Sequence, residues 1–189
     1  IASFQTYGLF FLRDSVGLEN PAEAMGRMVL VIAGALGLAV YISGWFSDRV
    51  GRKPMVMAGA LGAALSSVWI LFANDSTEVL IIASVTGASV GVLLSANWAL
   101  ANELADESQA GLHIGIVNLA TISGAALAKL LGPGIDALNQ IPDQPDDFGY
   151  QVLIIGAAVF FILGAVLLMP VETTRREVLS NKENPPTLT

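Results

Sequence analysis

The sequence predicts an all-α integral membrane protein built from six membrane-crossing segments. Three observations carry that expectation. First, 54% of the 189 residues are hydrophobic and only 13% are charged, where a soluble domain carries about 25% charge. Second, the charges cluster, leaving five runs of roughly 17 to 24 residues without Asp, Glu, Lys or Arg; each is long enough to cross a hydrocarbon core of about 30 Å as a helix. Third, these runs are apolar around their whole circumference, whereas a soluble core helix needs only one apolar stripe.

The segments follow in order. Residues 1–12 are apolar but too short to span alone, and no basic region precedes them, so they read as the end of a membrane helix rather than a signal peptide. The second span is expected over 28–46 and the third over 54–72, with Pro54 opening the third where a missing N–H is harmless. The fourth is expected over 79–101, the fifth over 112–131 and the sixth over 150–169. Residues 137–149 hold three acids with Pro142 and Pro145, which predicts an irregular, solvated connection. The bundle is expected to occupy 1–171, with a polar tail over 172–189.

Basic residues fix the expected orientation, because loops rich in Lys and Arg stay in the cytoplasm. Arg49, Arg52 and Lys53 follow the second span, and Arg175, Arg176 and Lys182 follow the sixth. Arg13 and Arg27 fall on the other side. The loop after the second span and the C-terminal tail are therefore expected to face the cytoplasm. The acids of the loop at 102–111, Glu103, Asp106 and Glu107, weigh little in this rule.

Composition also limits function. The net charge of −7 comes with no basic stripe, so nucleic acid is not an expected partner. There is no cysteine and a single histidine, His113, which leaves no thiolate nucleophile and no histidine metal cluster. Neither catalytic residues nor a cofactor are expected, and the chain does not read as an enzyme.

Polar side chains within spans face a cavity or a partner helix, and here they are unevenly spread. The sixth span has none over 152–169, and the third has Ser66, Ser67 and Trp69. The first offers Gln5, Thr6 and Tyr7, the fourth Ser84, Thr86, Ser89, Ser95, Asn97 and Trp98, and the fifth Asn118, Thr121, Ser123 and Lys129. At 3.6 residues per turn Asn118, Thr121, Ala125, Lys129 and Gly132 share one face of the fifth span, opposite Ile116, Ala120, Leu127 and Leu131. That face suits either a water-filled pathway or hydrogen bonds to neighbouring helices. Lys129 either lines an outer cavity or snorkels to the interface. No acid lies deep in a span; Glu103, at the end of the fourth, is either an interfacial carboxylate or the nearest candidate proton site. Gly87-x-x-x-Gly91 and Gly111-x-x-x-Gly115 are suited to close helix packing.

The turn between the second and third spans reads Gly44-Trp45-Phe46-Ser47-Asp48-Arg49-Val50-Gly51-Arg52-Lys53. It resembles the Gly-x-x-x-Asp-Arg-x-Gly-Arg-Lys loop of the major facilitator superfamily of transporters, with every position filled. The resemblance extends over essentially the whole chain. It implies one six-helix half of a twelve-helix fold, with solute bound between halves, and with helices three and six of each half peripheral. The cytoplasmic tail points to the C-terminal half, with the N-terminal half of the same polypeptide as its missing partner. The stretch Phe10-Phe11-Leu12-Arg13-Asp14 is similar to sugar-porter-like branches, including glycoside symporters.

The resemblance implies a secondary transporter, a symporter or antiporter, in the plasma or inner membrane. It would move a small organic solute, such as a sugar or glycoside with a coupling ion, by alternating access in the lipid bilayer. The candidate pathway is Gln5, Tyr7, Asn97, Trp98, Asn118, Thr121 and Lys129. The candidate gate is Gly44, Asp48, Arg49, Gly51, Arg52 and Lys53. In this reading Gly44 admits a neighbouring helix, Gly51 permits the turn, and Asp48 pairs with Arg52 and faces a helix N-terminus of the other half. The alternative roles for the basic residues are topology and lipid headgroups. The alternative for the chain is a non-transporting receptor or scaffold of the same fold.

Overall fold

The computed structural model describes residues 2–14, 20–104, 110–142, 144, 145 and 147–171, with backbone alone at 2–6, 14, 103, 104, 110 and 113. The tail at 172–189, Asp106, Glu107, Asp143 and Asp146 lie outside the described residues, as do the side chains of Gln5, Glu103 and His113.

Among the described residues the chain is helical, with no strand. The helices are α1 (Ala2–Asp14), α2 (Pro21–Val50), α3 (Arg52–Trp69), α4 (Ser76–Leu104), α5 (Ala110–Leu130), α6 (Gly132–Asn139) and α7 (Phe148–Leu168). A 3₁₀ turn, Ile70–Phe72, extends α3. Five stretches are long and apolar enough to cross a membrane: α2, α3 with its 3₁₀ turn, α4, α5 running on into α6, and α7.

Several ends differ from expectation. Helix α2 begins at Pro21, well before residue 28, because its polar first turns also favour helix: Pro21 suits the first turn, and Glu23 pairs with Arg27 one turn on at 2.6 Å. Helix α3 starts at Arg52, so Pro54 is its third residue rather than its first; first-turn N–H groups have no intrahelical partner, so it does no harm there. Helix α4 starts at Ser76 because Asp75 caps it, accepting from the N–H groups of Thr77 and Glu78 at 2.7 and 2.8 Å. The expected irregular connection at 137–149 is helical as far as Asn139.

Helix α4 is the centre of the packing. About a third or more of its apolar stretch (39%) and of that of α3 (33%) is buried, against 6% for the α5–α6 stretch. Small residues make this possible. A Cβ on Gly87 would lie 2.6 Å from the Ile32 carbonyl oxygen, and one on Gly91 would lie 2.6 Å from that of Leu36. On α3, a Cβ on Gly59 would meet the Leu93 backbone nitrogen at 2.6 Å, and one on Gly62 the Ser89 Oγ at 2.6 Å. Backbones thus approach closely where lipid supplies no hydrophobic drive for association. Helix α3 also packs against α7, while α1 packs against α2 and α5, and α6 against α7.

Two apolar clusters hold the ends. Phe11, Leu12, Met28, Ile70, Val79, Ile82, Ile135 and Tyr150 join α1, α2, α4, α6 and α7. At the other end Val56, Ala96 and Leu100 join α3 to α4, with Leu168 of α7 packed on them. Elsewhere large apolar side chains face outward, among them Leu30, Leu65, Phe160 and Leu167, each more than 70% exposed. Such a surface suits acyl chains rather than water.

Candidate functional site

The α2–α3 turn is built on Gly51, whose φ of 105° and ψ of 151° lie where an L side chain is strained. Its N–H donates to the Ser47 carbonyl at 2.9 Å, closing α2, and α3 begins at the next residue. The turn therefore holds its basic residues close to the ends of other helices. Arg52 donates from Nη1 to the Ala99 carbonyl of α4 at 2.8 Å. Lys53 Nζ donates to the Met169 and Val171 carbonyls at 2.6 and 2.8 Å, just past the end of α7. The Met169 and Val171 carbonyls follow the last turn of α7, where carbonyls lack intrahelical donors and carry the negative end of the dipole, so a cation suits them; Ala99 lies within the last two turns of α4. These bonds also put the ends of α4 and α7 on the same side as the turn.

The rest of the motif is more open. Asp48 and Arg49 are exposed, and the Arg49 guanidinium stacks 3.6 Å from the Trp45 ring centroid, one turn back. Ser47 is buried, and its Oγ has no hydrogen-bond partner. Among the described residues none approaches Gly44 closely: a Cβ there would meet nothing within 4 Å. The physical reason is helical phase. Ala39, Ser43 and Ser47 are the buried positions at this end of α2, and Gly44 lies about 100° around the helix from Ser43.

The candidate pathway residues are only partly gathered. Tyr7 Oη donates to the carbonyls of Lys129 at 3.0 Å and Ala128 at 3.3 Å, joining α1 to α5. Thr121 Oγ1 donates to its own helix at Val117, 2.9 Å away. Asn97, Trp98, Asn118, Thr121 and Lys129 are exposed. Gln5 lies on α1, its side chain outside the described residues. The polar face of α5 does double service. Ala125 is partly covered and Gly132 lies against Tyr7, while Asn118, Thr121 and Lys129 flank that contact and stay open. Of the two glycine pairs, Gly87 and Gly91 make a helix contact, whereas among the described residues Cβ atoms on Gly111 and Gly115 would meet nothing within 4 Å.

A cavity of about 350 Å³ that the sequence did not suggest lies among α1, α2, α3, α4 and α7. Its wall is mostly apolar, including Phe11, Met28, Ile32 and Phe161. The hydroxyls of Ser66, Ser67 and Thr86 at its edge donate to carbonyls of their own helices at 2.7 to 3.2 Å. Among the candidate pathway residues whose side chains are described, Tyr7 alone lines it. A polar solute needs several converging polar groups, which this wall does not supply.

A family model described as Major Facilitator Superfamily matches residues 4–188. Comparison with curated proteins and with solved structures gives no match.

Proposed function

The chain belongs to the major facilitator superfamily, and from that membership we propose that it is the C-terminal six-helix half of a secondary active transporter moving a small organic solute by alternating access. The match over 4–188 carries the reading. In such carriers the solute site lies near the bilayer midplane between two halves that rock against each other. The exposed polar residues of α5, Asn118, Thr121 and Lys129, suit a surface that faces the N-terminal half across water. Asn97 and Trp98 of α4, with Gln5 and Tyr7 of α1, extend that surface. The solute class is a sugar or glycoside, moved with a coupling ion as symport or antiport.

The α2–α3 turn faces the cytoplasm of a plasma or inner membrane in this reading, with the tail at 172–189 beside it. Arg52 and Lys53 brace the turn against α4 and α7 of its own half. Asp48 is exposed and so available to the positive N-terminus of a helix in the other half. That contact latches the cytoplasmic side and breaks as the halves rock.

The test is flux in proteoliposomes made with the full chain, using a panel of labelled sugars and glycosides. Solute-dependent uptake that is saturable and falls about tenfold or more in Asp48→Asn, with unchanged membrane insertion, supports the latch; a charge-assisted hydrogen bond of 1.5–3 kcal/mol sets that scale. Saturable uptake that is unaffected by Asp48→Asn would leave the carrier and remove the latch. No uptake of any panel member would remove the proposed solute class.

A further inference from the structure

Pro133 has no N–H, so the carbonyl of Lys129, four residues earlier, has no donor in its own helix. This is where α5 ends at Leu130 and α6 begins at Gly132. The helix is interrupted rather than ended: Leu131 stays right-handed helical at φ −74° and ψ −15°, and Ile135 N–H donates to the Leu131 carbonyl at 2.9 Å. The missing donor comes from another helix. Tyr7 Oη of α1 lies 3.0 Å from that Lys129 oxygen. A Cβ at Gly132 would stand 3.1 Å from the same hydroxyl, so glycine keeps the approach clear.

The two sides of the break are tied to different neighbours. Helix α5 packs on α1, while α6 packs on α7 through buried Ile135 and through Asn139 Oδ1, which accepts from the Gly149 N–H at 2.6 Å. We infer that Gly132-Pro133-Gly134 is a hinge and that Tyr7 is its positioning residue, a hydroxyl pin that replaces the hydrogen bond Pro133 removes. With the bond made, α1, α5 and α6 hold one geometry. With it broken, Lys129 keeps an unsatisfied carbonyl and the end of α5 is released from α1. A rigid helix could not divide at this point; an interrupted one can.

The pin makes a prediction about coupling that a merely structural tyrosine would not. Pro133→Ala restores an N–H for the Lys129 carbonyl and makes the Tyr7 hydroxyl redundant. Amide hydrogen exchange of the full chain in lipid nanodiscs reads this without knowing the solute, so it can fail while the transport reading stands. Tyr7→Phe should speed exchange at residues 130–132 and 134–136 by roughly two- to tenfold, the range of one net hydrogen bond, with amides of α3 unchanged. In the Pro133→Ala background Tyr7→Phe should have no effect. The inference is overturned if Tyr7→Phe changes nothing, if it speeds exchange across the whole molecule alike, or if its effect is the same with Ala at 133.

Discussion

Gly87 and Gly91 let α4 lie against the carbonyls of Ile32 and Leu36, with no room for a Cβ at either position. Gly87→Val should therefore force α2 and α4 apart and lower stability by about 2 kcal/mol or more, the scale of overpacking, measured as a fall in the thermal midpoint in detergent. Gly111→Val, of equal size, should leave the midpoint within experimental error, since a Cβ there meets nothing within 4 Å. At Gly51 the constraint is conformational. Gly51→Ala should cost about 1–3 kcal/mol through its positive φ with extended ψ, seen in the same melt. Both glycine pairs were legible as packing candidates, because the spacing is in the sequence. Which pair is used was not legible, because that depends on whether another helix faces it. The turn at Gly51 was legible from the motif, whereas which face of α2 meets its own half follows helical phase and leaves Gly44 open on the face it shares with Asp48.

Helix existence was legible from the charge-free runs, but helix ends were not. Hydropathy marks the length inside hydrocarbon, and α2 keeps its hydrogen bonds past that boundary as far back as Pro21. The division of α5 from α6 had a readable signal in Gly132-Pro133-Gly134, but the donor that compensates it is Tyr7, far away in the chain. The same holds at the other end. The basic turn was expected to set topology or form a gate, while its bonds to α4 and α7 depend on which helices end beside it. Lys53 bridges two carbonyls beyond α7, so Lys53→Met should loosen that end. Amide exchange at residues 168, 169 and 171 should rise about tenfold, on the scale of a charge-assisted bond, with α5 unaffected.

At the scale of the molecule, the helix pairings have an internal order. Helices α1 and α5 pair, α2 and α4 pair, and α3 pairs with α7. Counting α7 as the sixth span, exchanging spans one to three with four to six carries the α1–α5 pair into the α2–α4 pair and back, and the α3–α7 pair into itself. This is the pattern of two three-helix repeats within a half. The sidedness follows from the same contacts: the α2–α3 turn and the ends of α4 and α7 share one face. Because the chain has no cysteine, single cysteines report position cleanly. An impermeant thiol reagent should reach Val50→Cys from the cytoplasmic side and Gln140→Cys from the opposite side, in intact cells against inverted vesicles.

The proposed function rests most on one idea, that the polar face of α5 borders a water-filled pathway open to each side in turn. Single cysteines at Asn118 and Thr121, compared with Ile116 and Leu127 on the opposite face, test it in the full chain in membranes. The account predicts that the first pair reacts with an impermeant thiol reagent, from one side or the other depending on the conformation favoured, while the second pair, facing lipid or neighbouring helices, stays unreactive. Equal reaction of both pairs, or no reaction at Asn118 and Thr121 from either side, would contradict it.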